Sequence, residues 1–249
     1  MQDINGHSLK NPQTQRELWI LINDKIKLAE ESKKKEDWDN VVVQFRKLRE
    51  AVFSTMAGNG GNNLDFATKV FELSVTTCIK ADNEEELFKC FNRLVEEIYV
   101  LYPETENQYF TALYVLYIKC RRRDHVYANS LMTRLNRENE FGKYAFDVLK
   151  CTKINRSNSF KYFDRVENAP TQEYWKIIHS YDNIIRIEAL SIIREAYLST
   201  TLAWIRKWLG LREDSDVVQE INRLQQGDCI KSFDQSRELV YFLKKRRVK

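Results

Sequence analysis

The sequence predicts an all-α helical-repeat solenoid followed by a C-terminal winged helix with a small β-hairpin, and three observations carry that prediction. Between residues 15 and 198, apolar side chains return at helical spacing in one segment after another, separated by polar breaks. No segment before Cys229 shows a convincing strand pattern. The last fifty residues then read as helix, short turn, helix and two-stranded wing. The expected organisation is a tail (1–14), the solenoid (15–198), the winged helix (199–243) and a basic end (244–249).

The first helix is expected over Gln15–Leu28, with Leu18, Ile22, Ile26 and Ala29 on its apolar face, and SKKKEDW interrupts it with solvated charge. Asp39 then caps NVVVQFRKLREAVF, whose Val42, Phe45, Leu48 and Val52 face inward. Gly58, Gly60 and Gly61 with their asparagines form an inter-helix loop; no strand precedes it and no Lys-Ser/Thr follows, so it does not fit a phosphate cradle. Three strong helices come next. Ala67, Val70, Phe71, Val75, Cys78 and Ile79 line the first; Leu87, Phe91, Leu94, Ile98 and Leu101 line the second, which stops before Pro103. The third, YFTALYVLYIKC, is apolar nearly all round and should be buried, with Arg121–Arg123 at its C-terminal, electronegative end. Shorter helices are expected over Val126–Leu135, Phe141–Lys150, Ser159–Val166, Gln172–Ser180 and Tyr181–Leu198. Paired helices of roughly 35–40 residues, each with one wide apolar face, are the units from which solenoids are stacked.

In the C-terminal segment, Thr200 and Thr201 supply caps for TLAWIRKWLGL, with Leu202, Ile205 and Leu209 inward and Gly210 as the stop. Asp214 or Ser215 caps SDVVQEINRLQQ, whose inward residues are Val218, Ile221 and Leu224. CIKSFD and LVYFL, joined through QSRE, make the hairpin, and LVYFL is expected at its exposed edge.

Composition narrows the function. With 43% hydrophobic and 31% charged residues over 249 positions, the chain suits a soluble, ordered protein. The N-terminus lacks the basic-then-apolar character of a secretory signal, and no apolar run approaches the roughly 20 residues needed to span a bilayer. Cys78, Cys90, Cys120, Cys151 and Cys229 are odd in number and widely spaced, without zinc-ligand spacing, which predicts reduced thiols, no metal and a reducing compartment. The three histidines (His7, His125, His179) have no nucleophile implied beside them, and neighbouring Asp124 and His125 point apart on a helix; no enzymatic activity and no cofactor are expected. From Thr200 to Lys249 there are eleven Lys/Arg against seven Asp/Glu, whereas the remainder balances at 29 each, so the net +4 resides in the C-terminal segment.

That charge makes Arg206, Lys207, Arg223, Lys231, Arg237, Lys244, Lys245, Arg246 and Arg247 the candidate nucleic-acid contacts. Asp216 and Glu220 share a helix with Arg223 and argue against base reading, leaving non-specific phosphate binding. The KKRR run reads equally as a nuclear-localisation signal or a solvated end. Trp208, Leu239, Tyr241 and Phe242 are the candidate partner interface; of Trp204 and Trp208, one packs on the solenoid and the other is left for a partner.

Several segments give the chain a family resemblance. FGKYAFDVLKCTKINRSNSFKYFDRVENAP, through Phe160, Tyr162, Phe163, Ala169 and Pro170, and IIRIEALSIIREAY, through Arg186, Ala189, Leu190 and Tyr197, resemble the PCI region of GANP-family proteins. RKLREAV, FATKVFELSVTTCIKADNEEELFKCFNRLVEEIY and NQYFTALYVLYI look like the corresponding helices of its Leng-type branch, so the resemblance covers about residues 38–243. The Gly/Asn loop at 58–63 departs from the pattern. The resemblance implies a TPR-like solenoid and winged helix in the PCI arrangement. It also implies a nuclear scaffold role in transcription elongation, mRNA maturation and export. The partners it implies are a second, signalosome-subunit-like PCI protein, the small acidic proteasome-lid subunit, and RNA or DNA. The other class considered is an architectural subunit of a proteasome lid, signalosome or translation-initiation complex that binds no nucleic acid.

Overall fold

The computed structural model describes residues 9–56, 63–153, 157–213, 215–224 and 230–243. It is mostly helical, with a small three-stranded antiparallel sheet near its C-terminal end. Two compact units are formed, residues 1–114 and 115–249. Among the described residues no helix is long and apolar enough to cross a membrane.

In the first unit, α1 (Pro12–Ser32) starts three residues before the expected Gln15, because Asn11 accepts the Gln13 amide at 2.9 Å and Pro12 fits the first turn. Gln15 is therefore inside the helix and buried, its Nε2 donating to the Leu9 carbonyl at 2.9 Å and Thr55 Oγ1 at 3.1 Å. Lys33 adopts a left-handed conformation that ends α1, and α2 (Lys35–Met56) begins at once. Asp39 consequently lies within α2 and caps nothing, while Trp38 is buried. Val42, Phe45, Leu48 and Val52 face the interior as expected, and so do all six residues foreseen for α3 (Leu64–Ala81).

The next helix departs from its simple pattern. α4 (Glu84–Phe91), capped by Asn83, runs into a π-helical stretch, Asn92–Ile98, and a final turn, α5 (Tyr99–Leu101). Wider turns shift the angular register, so Leu87, Phe91, Leu94 and Ile98 are buried but Leu101 is 63% exposed. After a 3₁₀ turn at Pro103–Thr105 comes α6 (Gln108–Cys120), in which every residue from Phe110 onward is buried, as its all-round apolarity required.

The second unit continues with α7 (His125–Ser130), α8 (Glu140–Cys151), α9 (Ser159–Glu167), α10 (Gln172–His179) and α11 (Asp182–Ala196). Tyr162 of α9 is wholly buried and donates its hydroxyl to the Ile178 carbonyl at 2.6 Å and Asp182 Oδ1 at 2.8 Å, tying α9 to α10 and α11. Helix α11 ends two residues earlier than expected, and the chain enters a strand that the sequence did not announce, β1 (Ser199–Thr201). The elements α12 (Leu202–Leu209), α13 (Val217–Leu224), β2 (Ile230–Asp234) and β3 (Leu239–Phe242) follow.

Candidate nucleic-acid and partner interface

Local chemistry sets each turn of the C-terminal segment. Thr201 accepts the Trp204 amide at 3.2 Å and starts α12, whereas Thr200 pairs in β1. Gly210 ends α12 at φ 57°, and the Leu211 amide reaches back to the Arg206 carbonyl at 3.1 Å. α13 begins later than expected: its cap is Asp216, which accepts the Gln219 amide at 2.9 Å, rather than Ser215. Asp214, the alternative cap, and residues 225–229 lie outside the described residues. The inward stripe is Val217, Ile221 and Leu224, at i, i+4 and i+7 on one helical face, and Val218 is half-buried. These residues join Leu190, Ile193, Ile205, Leu209, Val240 and Phe242 in one core beneath the sheet.

The strand order β1-β3-β2 corrects the expected edge. LVYF is the central strand, flanked by β1 (Thr200 opposite Val240) and by β2 (Phe233 opposite Val240). Its alternation sends Val240 and Phe242 into the core and leaves Leu239 and Tyr241 half-buried on the other face. Phe242 is therefore a core residue, and the free edges belong to β1 and β2. On β2 the register slips between Ile230 and Ser232, making exposed Lys231 the extra residue of a bulge, a device that protects edges. Phe233 is the large apolar side chain that β2 leaves exposed.

Both tryptophans pack on Phe160 of α9, Trp204 with ring centroids 6.0 Å apart, but they differ in exposure. Trp208 packs on Phe160 of α9 (ring centroids 4.9 Å) and its buried Nε1 has no hydrogen-bond partner, whereas Trp204 is 37% exposed. The residue left facing outward is thus Trp204, not Trp208.

The basic candidates are unequal. Arg223 closes a two-pronged contact on Glu220, Nε to Oε2 and Nη2 to Oε1 each at 2.6 Å, and also reaches Asn183 Oδ1 at 3.0 Å. That hydrogen-bonded pairing holds the Glu220 carboxyl below the usual carboxylate range. A hollow of about 520 Å³ beside it is lined by Asp216 and Glu220 as well as Arg223, an unfavourable wall for phosphate. Lys207 is exposed with Nζ 5.7 Å above the Phe160 ring, and Arg206 is half-buried with its Nε unpartnered. Arg237 stands 4.0 Å from Asp234 at the turn between β2 and β3. Lys244, Lys245, Arg246 and Arg247 lie outside the described residues. Sequence reading missed Arg194, which donates Nη2–H to the Leu243 carbonyl at 3.2 Å and so fixes the end of β3 from which the basic run departs.

Elsewhere in the unit, Asp124 accepts the Tyr127 amide at 2.9 Å as the cap of α7, while burial lowers the His125 pKa and leaves its Nδ1 without a partner. Among the described residues no group of three or more His, Cys, Asp or Glu side chains is arranged to hold a metal ion. No protein-family model matches the chain, and no curated protein is similar enough to it to count as a relative.

Proposed function

We propose that the chain is a non-enzymatic scaffold subunit of the PCI kind, a solenoid over residues 15–198 bearing a winged helix over 199–243. In this reading it acts in a nuclear complex that couples transcription elongation to mRNA maturation and export, pairing with a second PCI subunit and holding RNA or DNA without sequence preference. The carrying observation is the order β1–α12–α13–β2–β3 with β1 returning to pair with β3, a helix–turn–helix closed by a small sheet. Two further points support it. Two of the residues behind the GANP-family resemblance meet at one joint: Phe163 and Arg186 both pack at the C-terminus of α12. The exposed side chain of Phe233 on the edge strand β2 gives the sheet an apolar contact beside an open edge, suited to a second winged helix. The small acidic lid subunit belongs to the same proposal, on the solenoid.

One observation favours the architectural reading without nucleic acid: the Arg223 guanidinium is already committed to Glu220 and Asn183. Fluorescence anisotropy of labelled single-stranded RNA separates the two. It is run on the chain alone and with the PCI subunit that co-purifies with it, at low and moderate salt. Binding that strengthens with the partner, weakens with salt, and disappears when Lys231, Arg237 and Lys244–Arg247 are neutralised is the expected result. A complex that forms but binds no RNA would overturn the nucleic-acid role and leave the scaffold.

A further inference from the structure

The first unit holds a group of side chains that the proposed scaffold role does not use. Cys78 on α3 and Cys90 on α4 are twelve positions apart in sequence, and the turn at Asp82–Asn83 brings their sulfurs to 3.8 Å. Both side chains are buried. Ser74 Oγ stands 3.3 Å from the Cys90 sulfur, and the Arg49 guanidinium, reaching in from α2, touches the same sulfur through Nη1 and Glu86 through Nη2. Arg49 is itself 6% exposed, and its Nε has no partner.

From this arrangement we infer that Cys78 and Cys90 form a reversible dithiol–disulfide pair, a modification site that oxidation by a small peroxide closes into a bond between α3 and α4. Three features argue for it. The sulfurs need approach by only about 1.8 Å to reach bonding distance of roughly 2.05 Å, within the reach of side-chain rotation on two packed helices. The two thiols are also chemically distinct. Burial opposes ionisation of Cys90, but the hydrogen bond with Cys78, the Arg49 charge and the Ser74 hydroxyl outweigh it and bring that thiol below its ordinary value. Cys78 is pushed up by its hydrogen bond to Cys90 and by burial. Access is the third feature: a cavity of about 660 Å³ is lined by Arg49, Glu86, Ser54, Phe71 and Asn92, so the guanidinium that covers the Cys90 sulfur is also part of the cavity wall. The π-helical stretch begins at Asn92, two residues beyond Cys90, a local irregularity of the sort often found at functional positions.

The chemistry balances in two steps. The Cys90 thiolate attacks one peroxide oxygen, the O–O bond breaks, and the leaving hydroxide takes a proton to become water, giving a sulfenic acid on Cys90. The Cys78 sulfur then displaces the sulfenic hydroxyl, its own proton leaving with that group as a second water. Two thiols lose two electrons and the peroxide gains them; a small dithiol reverses the change.

The test treats the reduced full-length chain with hydrogen peroxide while circular dichroism monitors the fold, and maps cysteine states by mass spectrometry after alkylation under denaturing conditions. A 2 Da loss linking the Cys78 and Cys90 peptides, reversed by dithiothreitol, is expected. It should form at least about tenfold faster than any oxidation of Cys120, whose thiol burial pushes up to about 12. Cys78→Ser should trap a dimedone-reactive sulfenic acid at Cys90, and Cys90→Ser should leave Cys78 reduced. Both thiols remaining alkylatable while the fold persists would overturn the inference. Oxidation of the pair only at the pace of Cys120, or only after the fold is lost, would do the same.

Discussion

Arg186 of α11 donates its Nε–H to the carbonyl oxygen of Leu209 at 2.9 Å, closing the C-terminus of α12. Its guanidinium also lies 5.2 Å above the Phe163 ring and 3.5 Å from Asp182 Oδ2. A cation at the electronegative end of a helix satisfies one of its orphaned carbonyls. Arg186→Ala is expected to cost about 2 kcal/mol, the range for a hydrogen bond from a charged donor. Hydrogen exchange should show the amides of α12 losing protection before those of α6. Uniform loss of protection would assign Arg186 to global packing instead.

Gly210 completes that joint. It sits at φ 57°, and a β-carbon there would lie 2.2 Å from Phe163 Cγ, so both backbone and space require glycine. Gly210→Ala should destabilise by about 2–4 kcal/mol, the sum of the left-handed penalty and overpacking. The overpacking part should vanish in a Phe163→Ala background. A double-mutant cycle in urea therefore shows the double variant destabilised by less than the sum of the two single variants, and strict additivity would show that the ring moves away freely.

Tyr162 offers a pH-dependent check. Its hydroxyl donates to Asp182, whose carboxyl is raised above 3.8 because burial outweighs the hydrogen bond from Tyr162 and the charges of His179 and Arg186. A raised carboxyl pKa means that the contribution of Asp182 to stability is fully present below 3.8 and declines as pH rises through the folded value. Tyr162→Phe removes a bond that favours the ionised form, so its deficit of about 1–3 kcal/mol should be greatest at neutral pH. The deficit should shrink as acid protonates Asp182. Urea midpoints measured from neutral to acid pH check this; a pH-independent deficit would place the loss at the Ile178 carbonyl alone.

How far the sequence could disclose this protein depends on which interactions leave a local trace. Buried faces of α2, α3 and α6 follow from spacing alone, and so does the Gly210 stop, because each is a property of one helix. The short strand β1 left no trace: Ser199–Thr201 is polar, and only pairing with β3 makes it a strand. The same pairing moved LVYF from edge to centre, taking Phe242 out of the candidate interface. Exposure of Leu101 depended on π turns that hydrophobic spacing does not encode. The Cys78–Cys90–Arg49 cluster was invisible for a related reason. Cysteine spacing announces metal motifs, whereas packing between neighbouring helices joins positions set by where the turn between them falls.

The Arg223–Glu220 pair ties this geometry to the proposed RNA contact. Glu220 occupies the guanidinium from three residues away on the same helix. Its carboxyl is held below the usual range chiefly by the hydrogen bond from Arg223, so the pair stays closed at neutral pH and opens only as acid takes pH down through that lowered value. Glu220→Gln keeps the shape of the side chain and removes the charge. If α13 faces phosphate, the freed Arg223 adds one contact, tightening single-stranded RNA binding about fourfold at roughly 0.15 M salt and steepening the salt slope by about 0.7. Glu220→Gln combined with Arg223→Gln should return affinity to the starting value or below it. Anisotropy titrations at three salt concentrations read both numbers. An unchanged affinity in the single variant would remove α13 from the proposed nucleic-acid surface and leave the α12 cations, the β2–β3 hairpin and the basic run to carry it.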